Sequence, residues 1–141
     1  MKGQLFSFRK GWVSENLARY ILSKFSFVAH PATVSDDIGS DFFCTLFEIH
    51  RVKKHDYLVP KNSFAIQIKS NTNIIDFSNK SQYLENLEIP FFVGVVDRQD
   101  LKLTIYSGEH ISAFFSYKGV PKKLKIELCE AVKDKKTCKY T

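Results

Sequence analysis

Apolar and polar residues recur along this chain with two periods, which divide it into helices and strands. Leu17, Ala18, Ile21, Leu22 and Phe25 fall at helical spacing and predict an amphipathic helix from about Ser14 to Phe25. Ser14 is suited to N-cap it, and Glu15 suits the positive end of the helix dipole. Phe27 to Pro31 reads as a short edge strand ended by proline. A polar loop from Thr33 to Ser40, containing Asp36, Asp37 and Gly39, leads into Asp41 to His50, a long strand rich in aromatic and β-branched residues. A basic connection, Arg51 to Lys61, precedes the strand Ser63 to Ser70. There Ile66 and Ile68 point to one face, and Gln67 and Lys69 to the other. If this strand returns antiparallel, the start of the Asp41 strand lies beside the end of the Lys69 strand.

Asn71 to Asp76 is turn-like. Ser78 is placed to cap a second helix reaching about Glu88, with Tyr83, Leu84 and Leu87 inward and Pro90 as its stop. The almost unbroken apolar run Pro90 to Asp97 predicts a strand covered on both faces, as a parallel strand after a crossover helix is. Leu101 to Tyr106 alternates as a further strand, Glu109 to Tyr117 predicts a short helix, and Lys122 to Glu130 fits a strand better than a helix. Lysines 133, 135, 136 and 139 dominate a tail almost without apolar residues. Residues 1–132 are therefore expected to form one domain and 133–141 a basic, flexible tail. The order helix, three strands, helix, strand predicts an α/β protein with a mixed β-sheet flanked by helices, an αβββαβ core.

Composition narrows the classes of function. A length of 141 residues, 44% of them hydrophobic, suffices for one real core, to which thirteen phenylalanines bring large pieces. The net charge of +6 favours a polyanionic partner. Cysteines 44, 129 and 138 are odd in number and without CxxC spacing, which suits a reducing cytosol better than a disulfide framework. The first residues lack the apolar stretch of a signal peptide, and the longest apolar run, Phe91 to Val96, is too short to cross a bilayer. The expectation is a soluble, cytoplasmic protein with no membrane contact. No phosphate-cradling loop or dinucleotide fingerprint occurs, His50 and His55 have no zinc-site spacing, and Cys44 reads as core.

One pattern carries chemistry. An amide and an ammonium side by side on one strand face, with Asp37-Ile38-Gly39-Ser40-Asp41 ahead of the preceding strand, could hold a metal ion and a phosphate. Each residue also has a plainer reading. Asp41 could punctuate a turn, Gln67 and Lys69 could be a solvated strand face, and Glu15 could be a dipole-compensating surface acid. Asp37 and Gly39 read as loop-shaping residues.

Glu15 in the first helix, Asp41 before the second strand, and Gln67-Ile68-Lys69-Ser70 on the third together resemble the PD-(D/E)xK nuclease superfamily. The flavour is similar to uncharacterised restriction-like and resolvase-like bacterial domains linked to defence systems, over roughly residues 12 to 107. The resemblance implies a restriction-endonuclease-like fold and Mg²⁺- or Mn²⁺-dependent hydrolysis of DNA phosphodiester bonds. Asp41 and Gln67 would be metal ligands with the backbone carbonyl of Ile68. Lys69 would orient the attacking water or balance charge on the phosphate, and Glu15 would reach the metal through water or anchor its ligands. Gln67 stands where many relatives carry Glu, so the site has one negative charge fewer. The alternative is accordingly a degenerate module that binds nucleic acid or a partner without cleaving. A third possibility is an unrelated α/β protein whose Lys69 face binds a small anion. Lys53, Lys54, Lys61, Ser70 and Lys80, with the tail lysines, are candidate contacts to DNA or another nucleic acid; the lysines equally suit a solubilising surface. A homodimer is compatible with this reading, since cutting two strands commonly takes two sites.

Overall fold

The computed structural model describes residues 2–30, 39–70, 72–78 and 80–129. In chain order the elements are α1 (Lys2–Leu22), β1 (Ser26–Ala29), β2 (Phe42–Val52), β3 (His55–Ser70), β4 (Ile74–Asp76), α2 (Ser81–Asn86), β5 (Phe91–Asp97), β6 (Lys102–Ser107), α3 (Glu109–Lys118) and β7 (Lys125–Glu127). The chain is a mixed α/β protein whose five-stranded sheet has the order β1-β2-β3-β5-β6. All neighbours are antiparallel except β3 and β5, which run parallel, as the apolar run at Phe91 predicted.

Strand alternation separates two cores. Phe42, Cys44, Phe64, Ile66, Ile68 and Val96 face α1, where Ala18 and Leu22 are fully buried. On the other face, Val93 packs with Leu84, Ile111 and Phe115 from the remaining helices, Ile75 and Ile126 from β4 and β7, and Phe77 and Leu124 beside those strands. Gly94 sits where β5 crosses beneath the first core; a Cβ there would lie 2.9 Å from Ile68 Cδ1 and 3.0 Å from Leu103 Cδ1.

Several boundaries differ from the expectation. α1 begins at Lys2, not near Ser14, because residues 2–13 contain no proline and the two glycines there cost only about 1 kcal/mol each. Ser14 is thus a mid-helix residue, 1% exposed, and caps nothing. Phe25 lies past the helix in a turn. The expected basic connection after His50 is instead paired strand. β2 and β3 continue to Val52 and His55 and are joined by Lys53 and Lys54 alone, both at positive φ (46° and 72°). Pro60 is tolerated within β3 because the register shifts beside it, between Thr45 and Phe47. Ser78 does not cap α2, which starts at Ser81. Its hydroxyl donates to Asp76 Oδ1 and accepts from the N–H of Leu124, tying β4 to the chain before β7. The last strand forms, but β7 pairs with β4 in a separate two-stranded sheet. Part of the stretch read as a turn is therefore β4.

Cys44 is a free, buried thiol as expected, whereas Cys129 is disulfide-bonded, which cysteine spacing did not reveal. Among the described residues no helix is long and apolar enough to cross a membrane. Asp36, Asp37 and the 133–141 tail lie outside the described residues.

Candidate active site

The antiparallel register of β2 and β3 sets Phe42 opposite Ile66, which brings Asp41 alongside Gln67. The pairing continues one residue past β2, since the N–H of Asp41 donates to the carbonyl of Ile66 at 2.9 Å. Beyond this point β2 has no backbone left to offer, and a side chain takes over. Asp41 Oδ2 accepts a 2.6 Å hydrogen bond from the N–H of Ile68, the residue between Gln67 and Lys69. In an extended strand a residue's N–H and C=O point to the same side. The Ile68 carbonyl is therefore directed toward Asp41 and away from β5.

Gln67 is 6% exposed, beside Val93 of β5, and its Oε1 is buried without a hydrogen-bond partner among the described residues. Such an orphaned acceptor costs about 1–3 kcal/mol in a protein that uses it for nothing. Lys69, next on the same face, is half-buried beside Val95 and makes no ion pair among the described residues.

Glu15 comes from the opposite side of the sheet, on α1. Burial pushes its carboxyl above the ordinary value of 4.5, and the negative charge of Asp41 pushes it further. The helix thus brings a second acid close enough to Asp41 for the two charges to repel. The plain reading of Glu15 as a dipole-compensating surface acid does not fit, because α1 starts thirteen residues earlier and the side chain is half-buried.

The loop ahead of Asp41 is held by residues that sequence reasoning did not connect. Gly39 adopts φ +112°, and a Cβ there would lie 2.6 Å from the Tyr83 ring, so neither conformation nor space admits a larger residue. The Tyr83 hydroxyl donates to Ser40 Oγ at 2.9 Å. α2 is thereby fastened to the residue before Asp41. On the other side the hydroxyls of Ser14 and Ser70 are hydrogen-bonded, fixing α1 to the end of β3. Ser70 therefore holds the strand end and faces α1, not the Gln67–Lys69 face. Only the glycine left a local trace in the sequence; the two long-range pairs left none.

The structure places Asp41 beside Gln67 and the Ile68 backbone, with Glu15 near enough to Asp41 for their charges to interact and Lys69 next along the Gln67 face of β3. Lys53 and Lys54 form the hairpin tip, fifteen residues up β3 from Lys69, or about 45 Å at 3.3 Å per residue with some loss to twist. Lys61 lies on the same hairpin and pairs with Glu48 at 3.3 Å. Lys80 precedes α2. Lys53 and Lys54 are thus remote from the site along the strand. Among the described residues no group of three or more His, Cys, Asp or Glu side chains converges. No protein-family model, curated protein or solved structure matches this chain.

Proposed function

We propose that the protein is a Mg²⁺-dependent nuclease that hydrolyses DNA phosphodiester bonds, with a restriction-endonuclease-like core. The observation that carries this reading is the buried, unpartnered Oε1 of Gln67 beside a carboxylate, Asp41, fixed to the next peptide of the same strand. A hard oxygen held out of water without a donor is what a divalent ion coordinates. The Ile68 carbonyl, directed to the same side, completes a set of oxygen donors that fits Mg²⁺ or Mn²⁺. The repulsion between Glu15 and Asp41 supports the same reading, because a cation between or beside them would relieve it. The sheet order, with β3 and β5 parallel and α2 between them in sequence, agrees with an αβββαβ core.

Each residue then has a task. Asp41, Gln67 and the Ile68 carbonyl hold the ion, which when bound stabilises charge on the attacked phosphate and makes a water more acidic. Lys69 presents an ammonium group to orient the attacking water and offset charge at the phosphate. Glu15 holds a proton more readily than an ordinary acid and so suits a contact through water.

One observation favours a second reading. With Gln at position 67 and no three-acid cluster among the described residues, the site carries less negative charge than an acidic triad would. That fits a module that binds nucleic acid or a partner without cutting. Plasmid nicking and a mobility-shift assay, run together in Mg²⁺, Mn²⁺ and chelator, separate the two. The nuclease reading expects metal-dependent nicking that Asp41→Ala and Lys69→Ala each abolish without unfolding the protein. Nicking that persists in both variants removes these residues from the chemistry. Binding that ignores chelator, with no cleavage in any metal, leaves the non-cleaving module.

A further inference from the structure

The β2–β3 pair outruns the sheet it belongs to. β1 pairs only with residues 43–46 of β2, and β5 only with residues 65–70 of β3. Apart from the bond from the Phe47 N–H to the Phe25 carbonyl, residues 47–62 therefore form a two-stranded ribbon with no strand on either side among the described residues. Cross-strand pairs assign its faces: Ile49 with Leu58 and Arg51 with Asp56 on one, His50 with Tyr57 and Val52 with His55 on the other. Both faces are open, with Ile49 66%, Val52 54%, Tyr57 54% and Leu58 49% exposed. A lone hairpin is marginal in water, and one this apolar on two sides has the form of a recognition element.

Charge indicates what it recognises. The ribbon's acids are already neutralised: Asp56 by Arg51 at 3.3 Å, and Glu48 by Lys61 at 3.3 Å with His50 at 3.1 Å. The positive charge left over sits at the tip, on Lys53 and Lys54. A two-residue turn with both φ values positive favours Asn-Gly, and lysines there work against the backbone. Two charges held at a strained tip point to a polyanion.

We propose that this ribbon enters the major groove of B-form DNA, with Lys53 and Lys54 on the flanking phosphates. That groove is about 12 Å wide and admits a two-stranded ribbon, whereas the deep, narrow major groove of duplex RNA does not. The proposal rests on the nucleic-acid half of the reading above and not on its metal chemistry.

The test is fluorescence anisotropy of the full chain with a labelled DNA duplex of about 30 base pairs, in EDTA, across a salt series. Lys53→Asn/Lys54→Gly removes both charges while giving the turn its preferred residues, so a loss of binding cannot come from an unfolded ribbon. The expected result is binding about tenfold weaker, with a log–log salt slope shallower by about 2. Unchanged affinity and slope overturn the ribbon proposal alone. A wild-type chain that binds no duplex overturns the nucleic-acid reading with it. Equal affinity for duplex RNA overturns the groove assignment. Should Ile49→Ser/Leu58→Ser convert a sedimenting dimer to monomer with DNA affinity unchanged, the ribbon joins two copies of the chain and the proposal fails.

Discussion

Replacing Gln67 by methionine gives opposite expectations for a metal site and for a structural residue. The side chain is 6% exposed with an unpartnered Oε1, and methionine has nearly the same length and volume without the carbonyl. Removing a buried, unsatisfied acceptor relieves about 1–3 kcal/mol of desolvation cost. For a chain of 141 residues that raises Tm by about 3–10 °C in the absence of divalent ions. Magnesium reverses the comparison. At tenfold excess over its Kd, an ion that binds only the folded wild type adds about 1.4 kcal/mol, and it should add nothing to Gln67→Met. Thermal unfolding with and without Mg²⁺, in both proteins, measures all four quantities. A variant less stable than wild type in EDTA would mean that Gln67 makes a structural hydrogen bond. An equal Mg²⁺ increment in both proteins would mean that the ion binds elsewhere. Either result refutes the reasoning.

Glu15→Gln removes an acid whose folded pKa lies above 4.5 because of burial and Asp41. The folded chain holds that proton more tightly than the unfolded one, so wild type loses stability as pH rises from about 4.5 through the raised value. Melting curves across pH should show the variant more stable than wild type above that window and the two converging below it; parallel curves would contradict the raised Glu15 pKa. Gly39→Ala forces a Cβ against the Tyr83 ring at φ +112° and should lower stability by about 1–3 kcal/mol, read by denaturant unfolding, with partial loss of any metal-linked stabilisation. Lys53→Asn/Lys54→Gly should slow amide hydrogen exchange along the ribbon about fivefold, the equivalent of roughly 1 kcal/mol of relieved turn strain.

Much of this fold was legible because periodicity reports burial. The alternation at Ile66-Gln67-Ile68-Lys69 fixed which residues share a face, and the apolar run at Phe91 marked a strand with neighbours on both sides. The adjacency of Asp41 and Gln67 followed from assuming an antiparallel return, which the register bears out. What failed did so for local reasons. Ser14 has the chemistry of a cap, but helices extend wherever nothing breaks them, and residues 2–13 hold no proline. The stretch from Arg51 to Lys61 looked like a connection because both faces of the ribbon there are exposed, so no burial pattern distinguishes it from a charged loop. The bonds from Tyr83 to Ser40 and between Ser14 and Ser70 join residues 43 and 56 positions apart. A single sequence carries no trace of such pairs. Nor could it show that Gln67 is buried with an idle oxygen, the feature on which the site's chemistry now depends.

The most direct measurement is diffraction from crystals soaked in Mn²⁺, using the metal's anomalous signal. The account predicts one strong peak within about 2.0–2.3 Å of a carboxylate oxygen of Asp41, Oε1 of Gln67 and the carbonyl oxygen of Ile68. A peak only at other carboxylates, or none at saturating Mn²⁺ with these three groups placed as described, would contradict it.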